Sequence, residues 1–74
     1  MSANAAARRA AIGFQGGQVL SLRLPEGALS SLQETLREGR ERWHQVDAVD
    51  GAVLVDLGQV VYLRVESDEH HVGF

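Results

Sequence analysis

The sequence predicts a small α+β domain, a mostly antiparallel sheet in the order β-β-α-β-β-β with one amphipathic helix packed on it, open or closed part-way into a small barrel. Three observations carry this expectation. Val19-Leu20-Ser21-Leu22-Arg23-Leu24 alternates cleanly, as a half-buried strand does. Leu29, Leu32 and Leu36 then recur at helical spacing. Further on, Asp50-Gly51 lies between two apolar arms, a strong short-range hairpin signal.

Residues 1–10 read as a flexible tail, because the alanine-rich stretch 2–10 has no large apolar side chain to bury. The folded domain is therefore expected over 11–74. Ile12 and Phe14 open a short strand at 11–15. Gly16-Gly17, between Gln15 and Gln18, fits a tight turn, since glycine takes positive φ without a Cβ clash. Pro25 ends the second strand and pre-sets φ for a helix, and Glu26 suits the positive end of the helix dipole. A helix over 26–38 follows, stopped by Gly39. Ser31 and Glu34 have capping-box spacing, but a start there would lose Ala28 and Leu29 from the apolar stripe. The mixed-sign run 37–42 reads as a solvated helix end and loop.

With Asp50-Gly51 as the hairpin loop, Val46 faces Val55, Ala48 faces Val53, and His44 faces Leu57. Trp43, Gln45, Asp47 and Val49 then share the other side with Ala52, Leu54, Asp56 and Gly58. A one-residue slip would turn Asp47 inward, so the parity is specified. The last strand places Val61, Leu63 and Val65 on one side and Arg64 and Glu66 on the other, together with Val60 and Tyr62. A tight turn at Gly58-Gln59 would put that apolar side opposite to Val53 and Val55. A longer connection, one helical turn over 56–59, is therefore expected. This end of the chain, with Val60-Val61-Tyr62-Leu63-Arg64-Val65, resembles the last strands of Sm-like small barrels, without that family's RNA-binding residues. The resemblance implies a curved, partly closed sheet. Val72-Gly73-Phe74 repeats the apolar-Gly-Phe pattern of Ile12-Gly13-Phe14 and could add a short strand to an edge, in its own subunit or a neighbour.

Composition bounds the function. A core built from 74 residues supplies only about 3–5 kcal/mol, and chains of this size are usually stapled. With no cysteine, disulfides and thiolate metal sites are excluded, which leaves self-association as the main staple. The formal charge is -3, so the basic stripe of a duplex-binding protein is missing and nucleic acid is disfavoured as a partner. All seven basic residues are arginine, a bias that fits a high-GC bacterial genome and concerns ancestry rather than chemistry. No apolar run approaches the ~18–20 residues of a membrane span, and no signal-type segment follows Arg8-Arg9, so a cytoplasmic location is expected.

No phosphate loop, dinucleotide fingerprint or nucleophile elbow occurs, so neither catalysis nor a cofactor nor a small-molecule ligand is expected. His70 and His71 are adjacent, and on a strand they would point to opposite faces. With His44 they give a metal or ligand sensor as a third reading. Trp43, Val49, Leu54, Val60, Tyr62 and Arg64 fall on the second sheet face and form the candidate interface, for which Trp, Tyr and Arg are apt. The expected function is a non-catalytic, homo-oligomeric structural or regulatory module whose partner is itself. The alternative uses Trp43, Tyr62 and Arg64 as a stacking platform for single-stranded nucleic acid in a small barrel.

Overall fold

In the computed structural model, which describes residues 7–66, the alternating run forms β2 (Val19–Leu24) and pairs antiparallel with β1 (Arg8–Phe14). Gly16 and Gly17 make the turn with φ of 93° and 91°, and the Phe14 N–H donates to the Gln18 carbonyl at 2.8 Å. β1 begins earlier than expected: residues 8–10, read as tail, are strand, and Ala10 is fully buried. The strand is flanked on both sides, so small side chains suffice on its inner face. Its large apolar partners, Leu20, Leu22 and Leu24, stand on β2 opposite Ile12, Ala10 and Arg8.

The helix α1 spans Glu26–Glu38 as expected, with Gly39 in the left-handed conformation at φ 71°. The Gly39 N–H donates to the Thr35 carbonyl and closes the last turn. Leu29 and Leu32 are buried, with Ala28 and Leu36 packed beside them. The capping-box start at Ser31 is not used.

β3 (Trp43–Ala48) and β4 (Gly51–Asp56) form the second hairpin, shifted from the expected register. Val49 and Asp50 are the loop residues, Ala48 pairs with Gly51, and Val46 faces Val53 rather than Val55. Three contacts outside the β3–β4 ladder hold this register. The Leu57 N–H donates to the Arg42 carbonyl, the Arg42 guanidinium grips Asp56, and the Val49 N–H donates to the Arg23 carbonyl on β2 at 2.9 Å. Because the slip is by two residues, side-chain parity is unchanged. Val46 and Val55 are still buried, with Ala48 and Val53 packed beside them. Gly51 supplies the positive φ, 153°, just after the loop instead of within it.

A single 3-10 turn, Leu57–Gln59, connects β4 to β5 (Val60–Val65), which is the longer connection expected from parity. β5 pairs antiparallel with β1 on the side away from β2, giving a three-stranded sheet β2-β1-β5 beside the two-stranded β3-β4. The two sheets are not closed into a barrel. The core lies between the inner faces of both sheets and α1, built from Ala10, Ile12, Leu24, Leu29, Leu32, Val46, Val55 and Leu57.

β5 carries a bulge: Gly13 faces Tyr62 while Phe14 faces Val60, leaving Val61 as the extra residue. The bulge changes the expected facing. Val60, assigned to the outer side, packs against the core with Leu63 and Val65, whereas Val61 is exposed. It also lays the Tyr62 ring over Gly13, so close that a Cβ on residue 13 would sit 2.1 Å from Tyr62 Cε2. Gly13→Ala is expected to evict the ring and cost on the order of 1 kcal/mol. In a Tyr62→Ser background the same change should stabilise by roughly 0.4–1 kcal/mol, because it then only restricts the unfolded chain. Urea denaturation of the four-member cycle measures both values.

Candidate interaction surfaces

Three surfaces emerge once the strands are in register. The first is the outer face of the β3-β4 hairpin, where Trp43 stands opposite Asp56 and Leu54 opposite Gln45. Trp43 is 52% exposed and Leu54 63%, high values for large apolar side chains. The Arg42 guanidinium lies 6.0 Å from the centre of the Trp43 ring, at the limit of a cation–π contact. Its Nε and Nη2 donate to Asp56 Oδ1 and Oδ2, both at 3.2 Å, a two-pronged ion pair that fixes the open end of the hairpin.

The hydrogen bonds from Arg42 hold the Asp56 carboxyl below its ordinary range, assisted by the Gly58 N–H at 3.0 Å and by the Arg42 charge, against an opposing push from desolvation. A carboxylate with a lowered folded-state pKa contributes stability that is present above its unfolded value, about 3.9. That contribution is lost as pH falls through the lower folded value. The thermal midpoint should therefore fall in this acid range, and Asp56→Asn should flatten the fall. Melting curves between pH 2 and 5, spanning about two units around the reference value, check this.

The second surface is a pair of sheet edges. β4 is paired only with β3 and β5 only with β1, so the far side of each has no partner strand among the described residues. Such edges present unpaired N–H and C=O groups and are templates for strand addition. Val61, 63% exposed, and Leu54 stand on these two strands. The edge of β2 is partly occupied by the hairpin turn through the Val49–Arg23 bond. The side chain of Val49 itself remains exposed.

The third surface is the outer face of β2-β1-β5. Register places Arg23 opposite Arg9, Ser21 opposite Ala11, and Val19 opposite Gly13. On the other side of β1, Arg64 faces Ala11 and Tyr62 faces Gly13, while Glu66 is tied to Arg9 by a backbone hydrogen bond. Tyr62 and Arg64, paired from the sequence, share this face. Trp43 belongs to the other sheet, so the expected three-residue platform is divided between sheets. Sequence reading missed Arg9 and Arg23, since nothing along the chain says which residue lies opposite Arg9.

Among the described residues no group of three or more His, Cys, Asp and Glu is placed to hold a metal ion. His44 is half-buried, beside a cleft at the N-terminal end of α1 lined also by Ser31 and Asp47. His70, His71 and Val72-Gly73-Phe74 lie outside the described residues. No helix among the described residues is long and apolar enough to cross a membrane. Comparison with family models, with curated proteins and with solved structures found no match to this chain.

Proposed function

We propose that this chain is a cytoplasmic, non-catalytic interaction module that works as a homo-oligomer, associating through the open edges of β4 and β5. The observation that carries the reading is the coincidence, among the described residues, of two unpaired strand edges with exposed Leu54, Val61 and Trp43 on a domain with a small core. Adding a strand to an edge satisfies the backbone groups there and covers neighbouring apolar side chains, which gives affinity without a preformed pocket. A core of eight buried side chains among the described residues leaves a thin margin for a lone subunit, and association adds to it.

Linkage supplies the test. If the oligomer is the folded unit, the thermal midpoint rises with protein concentration, whereas a self-sufficient monomer melts at one temperature throughout. A scan across two decades of concentration, roughly micromolar to a hundred micromolar, separates the two outcomes.

A further inference from the structure

The outer face of β2-β1-β5 concentrates positive charge on a chain whose formal charge is -3. Arg9 and Arg23 are directly opposed across β1 and β2, an arrangement that like charges disfavour. Arg64 lies across β1 from Ser21, with Ala11 between them as a low floor. None of the three arginines forms an ion pair among the described residues, where the pairs are Arg40–Glu38 and Arg42–Asp56. Arg9, Ser21 and Arg23 also line a cleft of about 340 Å³, with Asp50 of the hairpin turn on its border. Next to this group Tyr62 lies against Gly13, leaving ring surface open to solvent.

We propose that this face binds single-stranded nucleic acid, its phosphates over Ala11 among Arg9, Arg23 and Arg64, and a base stacked on Tyr62. Charge complementarity selects the backbone, since among the described residues none of the three arginines is paired with a carboxylate that a phosphate would have to displace. The ring selects a base over a simple anion, because stacking on an aromatic is tolerant of sequence and unavailable to an acidic peptide. A strand face also admits a flexible single strand better than a rigid duplex. Of the acidic residues, Glu66 lies just after β5, joined to Arg9 by a backbone hydrogen bond, and Asp50 borders the cleft, against three arginines, while Glu26, Glu34 and Asp47 stand on other elements. The proposal does not rest on self-association, because a strand added at the β4 or β5 edge lies beside Arg9, Arg23 and Ala11 and not over them.

Fluorescence anisotropy of a labelled oligothymidine of roughly ten nucleotides, titrated with the full chain over a salt series, tests it. Three phosphate contacts predict that log K falls against log salt with a slope of about -2. Arg9→Ala with Arg23→Ala and Arg64→Ala should flatten that slope toward zero. Tyr62→Leu should weaken binding about tenfold with the slope unchanged, while Tyr62→Phe keeps the affinity. Asp50→Asn should tighten binding by removing a like charge from the border of the cleft. Melting curves confirm that each variant is folded. Absence of binding by the unaltered chain at low salt would overturn the proposal. So would equal binding of oligoglutamate, or a Tyr62→Leu variant indistinguishable from the parent.

Discussion

Ile12→Ala is expected to leave the chain largely unfolded at room temperature. Ile12 is fully buried on β1, the central strand of the three-stranded sheet, between Leu20 on β2 and Leu63 on β5. Removing its outer carbons loses their transfer free energy and leaves a cavity beneath α1, a combined cost of about 2–5 kcal/mol. A single core of this size holds only about 3–5 kcal/mol in total, so one deletion consumes most of it. Collapse around the gap is resisted because β1 is tied on both edges. Circular dichroism and amide proton dispersion would show loss of the cooperative transition. Ile12→Val, which removes one carbon, should cost only about 0.5–1.5 kcal/mol and retain it.

The second large effect concerns association and leaves the fold alone. Leu54→Lys combined with Val61→Lys places a charge on each open edge strand, the device by which natural sheets discourage edge pairing. Both side chains are 63% exposed, so the isolated subunit should change by no more than about 0.5 kcal/mol. Burying two such residues in an interface contributes about 1.5–3 kcal/mol each, so their loss should weaken self-association at least about a hundredfold. The diagnostic pattern is a folded variant whose size in solution falls to that of a single chain. Val19→Lys, on β2 and away from the β4 and β5 edges, should weaken association less.

The contrast between what was legible and what was not follows from what periodicity encodes. Leu29, Leu32 and Leu36 mark one helix face, and Gly39 marks its end through a backbone conformation that favours glycine, so α1 could be bounded closely. Alternation in β2 and around the second hairpin gave the buried faces for the same reason. Alternation has period two, however, and is blind to a slip of two. The loop therefore moved from Asp50-Gly51 to Val49-Asp50 without altering which side chains are inside. Val49–Arg23 and Arg42–Asp56, contacts that settle the slip, join residues far apart in sequence.

β1 escaped notice at its start because a central strand can bury alanine, and Ala10 carries no hydrophobic signature of its own. The bulge at Val61 reversed the facing of Val60, since one extra residue inverts parity on everything before it. Of the candidate interface residues, Trp43, Val49, Leu54, Tyr62 and Arg64 lie at the surface, while Val60 joins the core margin. The arginine face was hidden for a related reason. Arg9 and Arg23 become neighbours only through the register of β1 with β2, and neither residue alone distinguishes a site from an ordinary solvated position.

Everything proposed for the edges rests on the chain associating with itself. Sedimentation equilibrium of the full chain at micromolar concentration tests this most directly, since one chain has a mass of 8.0 kDa. A homo-oligomer gives an integral multiple of that mass, reduced to the single-chain value by Leu54→Lys with Val61→Lys. A folded, cooperatively melting species at 8.0 kDa across the whole concentration range would contradict it.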